Sequence, residues 1–469
     1  MSKFNKRVTN VTTNLAGGKA FSMKPQEELI HAVMSTFLEN KPYESGDDRV
    51  KRIASLVAQC APEFVARLAV VARKEYHMRS VVTVLLGELA KIHRGDDLVK
   101  RAIVAATVRV DDLTELVSYL GTPLPKQVKR GIRNAILKFS PYQLAKYKGD
   151  GKAVSLIDVF NLTHPKVQHA TEEQKKAWEA LMTGKLVSFD TWETELSNST
   201  DKKASLERLI MENKMGYMAM LRNLNNFVKY GISEVATEKV IAKLTDPEEV
   251  KKSKQLPFRF ITAYENVKGN RKYTDAISVA MDLAVSNTPK LDGRTLVAID
   301  SSGSMMSGAL DKCAPLGATL SKTNDVDLIL FDTSVKELRI SSLTPVVDIV
   351  ENIKRNAQGG GTNTSLVFQY AYGKKYDRII ILSDNESWAC GGWGRKSSTQ
   401  EAYSQYRKTN GDPFVYAIDV QGYGTKDISS PKVKHLCGWS DRILDFVGAS
   451  ETNLLQHILS VEIYGEAVR

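Results

Sequence analysis

The chain has 469 residues, enough for two or three domains, and its 42% hydrophobic and 25% charged residues are ordinary for a soluble protein. No run reaches the roughly 18 apolar residues of a membrane span, and the residues after Met1 lack the apolar core of a signal peptide. We therefore expect a cytoplasmic protein without a membrane partner. Four widely spaced cysteines form no CxxC pair, which argues against a disulfide framework and a zinc site: Cys60, Cys313, Cys390 and Cys437.

The net charge of +11 is unevenly distributed along the chain. The residues before Lys290 include 45 basic and 33 acidic side chains, whereas the residues from Lys290 onward include 20 and 21. Because Lys and Arg bind polyanions through the release of counterions, the basic N-terminal part predicts a nucleic-acid partner. A basic surface that serves only solubility is the alternative, and charge by itself does not separate the two.

The first part of the chain predicts a series of short amphipathic helices. Apolar residues recur every three or four positions across residues 29–38, and again after Asp48 and after Pro62. Gly, Pro and Asp-Asp turns separate these stretches, which is typical of a helical solenoid. We predict a boundary that gives two domains, 1–289 and 290–469.

The best candidate for nucleic-acid contact is a predicted helix that begins near residue 126. Its basic side chains fall three or four positions apart, on the face opposite its apolar residues. Tyr142 and Tyr147 follow and offer rings on which a base could stack. The stretch predicts RNA contact through Lys126, Lys129, Arg130, Arg133, Lys146, Lys148 and Lys152. The alternative is a solvated face with tyrosines in the core.

From residue 290 onward, apolar runs alternate with helical stretches. The runs predict buried strands at 296–299, 326–331, 379–382, 414–418 and 443–446. Helices between strands are typical of a mostly parallel sheet that is covered on both faces. We therefore expect a doubly wound α/β fold, with ligand-binding loops at the carboxyl ends of its strands.

The first of these strands ends in a pattern suited to a hard divalent cation. Asp300-Ser-Ser-Gly-Ser304 places one carboxylate and two hydroxyls at alternate positions, where a strand opens into a loop. Oxygen ligands with few carboxylates suit magnesium. A threonine after three glycines and an acid that closes another strand supply two further oxygens. The predicted metal ligands are Asp300, Ser302, Ser304, Thr362 and Asp384; the alternative is a loop acid that caps the next helix.

Asp-x-Ser-x-Ser, a loop threonine and a strand-end aspartate together resemble the metal-ion-dependent adhesion site of von Willebrand factor A domains. The resemblance implies that these five residues hold the cation directly or through water, and that a partner's carboxylate completes its shell. It implies binding and not catalysis. A glycine-aromatic loop that starts at Trp388 and ends at Trp393 shapes the rim of that site or packs beside it.

The helical part carries segments that resemble the TROVE module of the Ro ribonucleoprotein family: Asn14-Leu-Ala-Gly-Gly18, Arg73-Lys-Glu-Tyr-His-Met-Arg-Ser80, Met218-Ala-Met-Leu-Arg-Asn-Leu224 and Gln255-Leu-Pro-Phe-Arg-Phe260. Together with the A domain, the resemblance covers nearly the whole chain. It implies a ring of HEAT-like helical repeats closed by the A domain. It also implies that Y RNA binds the outer surface and that single-stranded 3′ ends of misfolded RNAs enter a central hole. Arg222 and Arg259 face either that hole or a buried acid.

The resemblance itself points to two RNA-contact residues. Asp158-Val-Phe-Asn-Leu-Thr-His164 resembles a family segment whose histidine contacts Y RNA, and the match assigns RNA contact to Lys146 and His164. The family's arginine between them has no clear counterpart in this chain. The segment reads Lys148-Gly-Asp-Gly-Lys152, with an apparent one-residue insertion, and Lys152 is the candidate substitute.

The combined prediction is a non-catalytic, monomeric RNA-binding protein with magnesium as its cofactor. Its expected partners are Y-like small noncoding RNA and the 3′ ends of misfolded RNAs. By resemblance to bacterial relatives, an exoribonuclease such as polynucleotide phosphorylase is a further partner, tethered through Y RNA. Two alternatives remain, a metal-dependent nuclease that uses Asp300 and Asp384, and an A-domain adaptor for protein partners. Two acids and three hydroxyls argue against the nuclease, because phosphodiester chemistry usually uses two metals and several carboxylates.

Overall fold

The structure is a computed structural model, and it describes residues 11–35, 38, 41, 43–149, 151–186, 192, 195–196, 199–388, 398–438, 443–444, 447 and 454–463. The predictions that concern Cys390 and Trp393 lie outside these residues. Across the described part of the chain, no helix combines the length and the apolar character needed to cross a membrane. The other three cysteines are buried thiols.

The N-terminal part is a succession of helices that follows a short hairpin, β1 (Val11–Thr13) and β2 (Lys19–Ser22). The helices are α1 (Pro25–Met34), α2 (Gly46–Gln59), α3 (Pro62–Lys74), α4 (Ser80–Ile92), α5 (Leu98–Ala106), α6 (Asp111–Leu120), α7 (Lys126–Ile136), α8 (Pro141–Lys146), α9 (Leu156–Thr163), α10 (Glu172–Met182), α11 (Lys202–Met211), α12 (Tyr217–Tyr230), α13 (Glu234–Leu244), α14 (Pro247–Ser253), α15 (Ile261–Asn266) and α16 (Arg271–Ala284). Local chemistry sets several starts: Pro25 and Pro62 occupy first turns, and the Ser45 and Ser140 side chains accept backbone N–H groups of α2 and α8.

Neighbouring helices stack in a regular way. Helix α5 packs on both α3 and α7, while α4 packs on both α2 and α6. Their apolar faces share one continuous core, which also includes residues of the C-terminal part. This stacking agrees with the predicted solenoid. The first helix ends at Met34, short of the predicted end near residue 38, where Leu38 has a left-handed φ of 63°.

The C-terminal part contains a six-stranded sheet in the order β5-β4-β3-β6-β7-β9. Its strands are β3 (Thr295–Asp300), β4 (Val326–Phe331), β5 (Val335–Leu338), β6 (Arg378–Ser383), β7 (Phe414–Asp419) and β9 (Val433–Cys437), whereas β8 (Thr425–Lys426) pairs elsewhere. Every pair in this sheet is parallel except β4 with β5. Among the described residues, four helices connect the strands: α17 (Leu310–Thr323), α18 (Val346–Asn356), α19 (Ser365–Ala371) and α20 (Thr399–Asn410).

Both faces of the sheet are buried, as a doubly wound fold requires. In β3, Val297 and Ile299 enter the core that contains α17 and α18, while Leu296 and Ala298 enter the core that contains α19 and α20. The alternation follows from the two-residue period of a strand. The predicted α/β fold is confirmed for this part of the chain.

One predicted strand is wrong. Ile443 and Leu444, in the run predicted as a strand at 443–446, are helical, and residues 445–446 lie outside the described part. The last strand of the sheet is β9 instead. Its Lys434 and His435 are half-buried and interrupt the apolar pattern, so the sequence carries no continuous apolar run at that position.

The N-terminal end of the helical region packs against the A domain. Strand β2 pairs antiparallel with β8 and joins the N-terminal hairpin to the C-terminal part. His31 Nδ1 lies 3.0 Å from Asp419 Oδ2, and both side chains are buried. The buried guanidinium of Arg49 donates to the carbonyl oxygens of Gln421 (2.7 Å) and Gly422 (2.8 Å). We call this contact, between the described residues of 11–60 and residues 384–388 and 419–438, the N-terminal seam.

The other end of the helical region also contacts the A domain. Helix α16 packs on α18, and Asp282 Oδ1 accepts the Val346 backbone N–H (3.0 Å). After the sheet, α21 (Leu454–Ser460) returns to α3, where His457 Nε2 lies 2.9 Å from Glu75 Oε2. The helical region is therefore joined to the A domain at both ends. The predicted boundary between residues 289 and 290 falls in the connection before β3 and stays a prediction.

Candidate cation site and basic surface

The five predicted metal ligands come from three loops at one edge of the sheet. Asp300 ends β3, and its Oδ1 accepts the Ser302 backbone N–H (2.9 Å). The hydroxyl oxygens of Ser302 and Ser304 lie 3.3 Å apart. Because residues 303–306 form a tight 3-10 turn, these side chains leave the strand end on the same side. The Asp-x-Ser-x-Ser pattern thus folds as a compact oxygen-rich loop.

Backbone hydrogen bonds hold the other two loops against this one. The N–H of Gly303 donates to the Gly360 carbonyl (3.0 Å), which brings in the loop that carries Thr362. The N–H of Trp388 donates to the Thr362 carbonyl (3.0 Å), which ties the loop after Asp384 to the same place. Parallel strands end at one edge of a sheet, so ligands from separate loops meet there.

The site brings two buried acids close together. Asp300 and Asp384 are fully buried. Burial raises the pKa of Asp300 to about 6, although hydrogen bonds from Ser302 and Ser383 oppose the rise. Burial and the charge of Asp300 raise the pKa of Asp384 to about 7. Asp384 Oδ2 has no hydrogen-bond partner within the described residues.

An orphaned buried carboxylate oxygen beside a second buried carboxylate fits a cation. Buried charges are normally paired or coordinate a metal. Two carboxylates and three hydroxyls form the all-oxygen donor set that magnesium accepts with retained waters. Among the described residues, no group of three or more His, Cys, Asp and Glu side chains is placed to hold a metal. The fit therefore depends on the hydroxyls of Ser302, Ser304 and Thr362.

Two further buried acids lie close to this site and were missed in the sequence. Glu386 Oε2 accepts the backbone N–H of Ala16 (2.9 Å), and burial raises the pKa of Glu386 to about 8. Asp427 Oδ2 accepts the Thr364 hydroxyl (2.8 Å), and burial raises its pKa to about 8 as well. No motif marks either acid, because their burial results from contacts between distant parts of the chain.

The predicted RNA contacts of α7 divide into two groups. Lys126 and Arg130 are exposed, whereas Lys129 and Arg133 are half-buried. The Arg133 guanidinium donates to the Thr163 carbonyl at the end of α9. We call Lys126, Lys129, Arg130 and Arg133 the basic face of α7. Arg133 contributes a structural hydrogen bond there, which the sequence does not indicate.

The remaining predicted contacts lie around the next two helices. Lys146 Nζ lies 5.9 Å and 5.7 Å from the ring centroids of Tyr142 and Tyr147. Lys148 Nζ donates to the Leu186 carbonyl (3.3 Å), and Lys152 is exposed. His164 is exposed at the C-terminus of α9 in a left-handed conformation, with φ 49°. Since Arg133 contacts Thr163, the basic face of α7 and His164 belong to one surface.

Arg222 and Arg259 line a cavity between the helical region and the A domain. The cavity has a volume of about 510 Å³ and an apolar floor that includes Leu221 and Ile418. Both arginines are exposed. The acid in the cavity wall, Asp311, is exposed and lies 2.8 Å from Lys354. Of the two predicted environments, an opening fits these arginines better than a buried acid.

Comparison with known proteins gives two family matches. A family model described as the TROVE domain matches residues 175–275, and one described as the Ro60 vWA domain matches residues 294–447. The first match begins after the basic face of α7 and His164. The second contains all five predicted metal ligands.

Several known proteins are similar to this chain. RNA-binding protein RO60 of Deinococcus radiodurans is 26% identical over 330 residues, covering 64% of this chain and 59% of that protein. RNA-binding protein RO60 of Caenorhabditis elegans is 25% identical over 260 residues, which cover 50% of this chain and 40% of that protein. Telomerase protein component 1 of the mouse is 41% identical over 93 residues, which cover 19% of this chain and 4% of that protein. The matches thus span less than two thirds of each of these relatives.

A solved structure shares the whole fold. The crystal structure of the Deinococcus radiodurans Ro protein superposes on this chain with a TM-score of 0.61 and 16% sequence identity. The superposition covers 93% of this chain and 99% of the Ro protein chain. A helical region joined at both ends to a von Willebrand factor A domain defines the class of protein. The two domain matches and the RO60 relatives support a Ro-like family protein.

Proposed function

We propose that this chain is an RNA-binding protein that holds structured noncoding RNA on the surface formed by α7, α8 and α9. The observation that carries the proposal is the basic face of α7, which presents Lys126 and Arg130 to solvent beside His164. Cationic side chains at fixed spacing on a rigid helix suit the phosphates of an RNA duplex, which proteins recognise mainly by shape. The names of the RO60 relatives support the same conclusion.

The RNA proposed for this surface is a Y-like small RNA. Lys146 between two tyrosine rings offers charge and stacking surface together, and Lys152 extends the exposed basic area toward α9. A gel-shift series across salt tests the proposal with a Y-like stem-loop and an unstructured RNA of equal length. Preference for the stem-loop, with affinity that falls steeply as salt rises, is the expected result. Equal binding of both RNAs would contradict a structured partner.

A second RNA element is proposed for the cavity lined by Arg222 and Arg259. Single-stranded nucleic acid binds where cationic side chains adjoin apolar or aromatic surface, and the cavity combines the two arginines with Phe258 and an apolar floor. Its occupant would be the single-stranded 3′ end of a misfolded RNA. The double variant Arg222→Ala/Arg259→Ala should lose tailed RNA more than blunt stem-loop RNA in a competition gel shift.

The cation site is proposed to hold magnesium and to serve binding. When bound, magnesium would supply positive charge to the two buried carboxylates of Asp300 and Asp384. The hydroxyls of Ser302, Ser304 and Thr362 would complete the protein's share of the ligands. Hydrolysis of phosphodiesters usually uses two metals and several carboxylates, so we propose no catalytic step. Incubation of labelled stem-loop and tailed RNAs with magnesium tests this: retention without cleavage is expected, and shortened products would establish the nuclease alternative.

The proposed cellular role is RNA quality control in the cytoplasm, by a monomer. A Y-like RNA on the α7 surface could tether an exoribonuclease of the polynucleotide phosphorylase type. Co-purification of such an enzyme with the chain should then depend on RNA. Treatment with ribonuclease should release it, whereas an A-domain adaptor for protein partners would keep its partner after the same treatment.

A further inference from the structure

The candidate cation site lies against the chain's own N-terminal segment. Asn14 Nδ2 donates to the Ser387 carbonyl (3.0 Å), and the N–H of Ala16 donates to Glu386 Oε2 (2.9 Å). Gly18 approaches so closely that a Cβ at this position would overlap the Ser387 carbonyl oxygen. The turn at residues 14–18 therefore fits directly onto the loop that follows Asp384.

Tyr43, between α1 and α2, reaches the same site from another side. Its ring packs edge-on against Tyr423 with the centroids 5.4 Å apart, and the Arg49 guanidinium lies 5.9 Å from the Tyr423 ring centroid. Burial and the charges of Asp384 and Glu386 raise the pKa of Tyr43, while a hydrogen bond with the Ser304 side chain opposes the rise. The Tyr43 hydroxyl is thus near a predicted metal ligand and near the acids beside it.

We propose that the cation site is completed from within the chain, with Tyr43 as a positioning residue, so that cation binding and closure of the N-terminal seam stabilise each other. The inference rests on the proposed cation site and goes beyond it. An adhesion site of this type completes the cation's shell with a partner's carboxylate, whereas here Tyr43 and the turn at residues 14–18 adjoin the ligand loops from within the same chain. The site would therefore connect two parts of one chain.

The physical reason is that the cation and the seam use the same loop. Asp384 is a predicted ligand at the start of this loop, and Glu386 and Ser387 further along it accept the hydrogen bonds of Ala16 and Asn14. A bound cation would fix Asp384 and Ser304 in place, and with them the surface on which the turn at residues 14–18 and Tyr43 dock. Coupling between two binding events is reciprocal. A change that loosens the seam must therefore weaken cation binding, even where it removes no ligand.

Two variants with matched controls test the inference by calorimetric titration of the full chain with magnesium chloride. Tyr43→Phe keeps the ring against Tyr423 and removes only the hydroxyl; Tyr372→Phe, at an A-domain tyrosine that is 53% exposed, is its control. Gly18→Ala forces the seam apart, and Gly269→Ala is its control because a Cβ at Gly269 meets nothing within 4 Å and its φ is not left-handed. Tyr43→Phe and Gly18→Ala should each weaken magnesium binding by about fivefold or more, the lower end of typical couplings.

Hydrogen exchange supplies a second measurement that a purely structural tyrosine would not change. Magnesium should slow amide exchange in β1 and β2 of the wild type, and this effect should be smaller in Tyr43→Phe. The inference is overturned if Tyr43→Phe binds magnesium as the wild type does, or if magnesium protects only the three ligand loops. Absence of magnesium binding to the wild type overturns the proposed cation site as well, whereas RNA gel shifts report on the proposed function independently. If Gly18→Ala does not fold, Tyr43→Phe decides the outcome.

Discussion

Removing the two exposed cations of α7 should reduce the salt dependence of RNA binding by a predictable amount. The variant is Lys126→Ala/Arg130→Ala. Arg133 is kept because its guanidinium donates to the Thr163 carbonyl, so its loss would disturb the end of α9 together with any RNA contact. Both replaced side chains are exposed, and we expect the free energy of unfolding to stay within about 0.5 kcal/mol of the wild type.

The size of the effect follows from counterion release. Each phosphate contact contributes about 0.9 to the slope of log K against log salt on a duplex and about 0.7 on a single strand. Two lost contacts should therefore lower the slope by about 1.4 to 1.8. Between 50 and 200 mM salt, the wild type should lose about 7 to 12 times more affinity than the variant does.

Fluorescence anisotropy with a labelled Y-like stem-loop, titrated at four salt concentrations, measures both slopes. The control is Lys251→Ala/Lys252→Ala, which removes the same charge from two exposed positions of α14. An unchanged slope in the α7 variant would refute the assignment of RNA to this surface. An equal change in the α14 control would mean that net charge, and not this surface, drives binding.

Three further predictions concern the A domain and the seam. Asp300→Ala should abolish the stabilisation that magnesium gives to the wild type, which is about 2.7 kcal/mol at a magnesium concentration of 100 times Kd. Melting scans with magnesium and with chelator measure this stabilisation. A variant that still responds to magnesium would contradict the assignment of Asp300 as a ligand. Burial raises the pKa of Asp427 in the folded protein to about 8, from an ordinary value of 3.8. The folded state therefore binds its proton more tightly than the unfolded state does, so in chelator the free energy of unfolding should fall as pH rises from about 4 to about 8. Asp427→Asn should flatten this fall in urea titrations at pH 5 and 8, and an unchanged pH profile would show that Asp427 is not responsible. Gly422→Ala should lower the free energy of unfolding in urea by about 2 kcal/mol or more, because Gly422 has a φ of +68° and a Cβ there would also overlap Ser35. Gly373→Ala, at a φ of +80° but with no atom within 4 Å of the added Cβ, should lower it by about 1 kcal/mol. Equal losses in the two glycine variants would show that backbone strain alone matters.

The sequence was sufficient to predict four strands of the sheet, β3, β4, β6 and β7, and the loops that carry the proposed ligands, because their signals are local. A buried strand is a run of apolar residues, and its end is marked where Asp300 or Asp384 interrupts the run. In parallel strands these ends lie at one edge, so two distant motifs could be placed together without a structure. The same local reasoning failed for β9, whose half-buried Lys434 breaks the run.

The parts that could not be predicted depend on contacts between distant positions. Tyr43 stands in an ordinary polar turn, and only the fold brings it to Ser304. Glu386 becomes a buried acid because Ala16 packs on it from the other end of the chain. Arg133 was predicted as an RNA contact from its spacing, and a helical pattern does not reveal that a carbonyl of α9 lies within its reach. Such contacts leave no periodic signal in the sequence.

The N-terminal seam also orders events during synthesis. The acceptors of Arg49 are the carbonyls of Gln421 and Gly422, and β2 has β8 as its partner, so neither contact can form until most of the chain has been made. At about 5 to 20 residues per second, the ribosome needs roughly 20 to 80 s to reach that point. During this interval a cationic side chain destined for burial stays hydrated, and the first hairpin has a free edge. The nascent chain therefore remains open until nearly its last strands emerge, and its first strands are among the last to reach their native pairing.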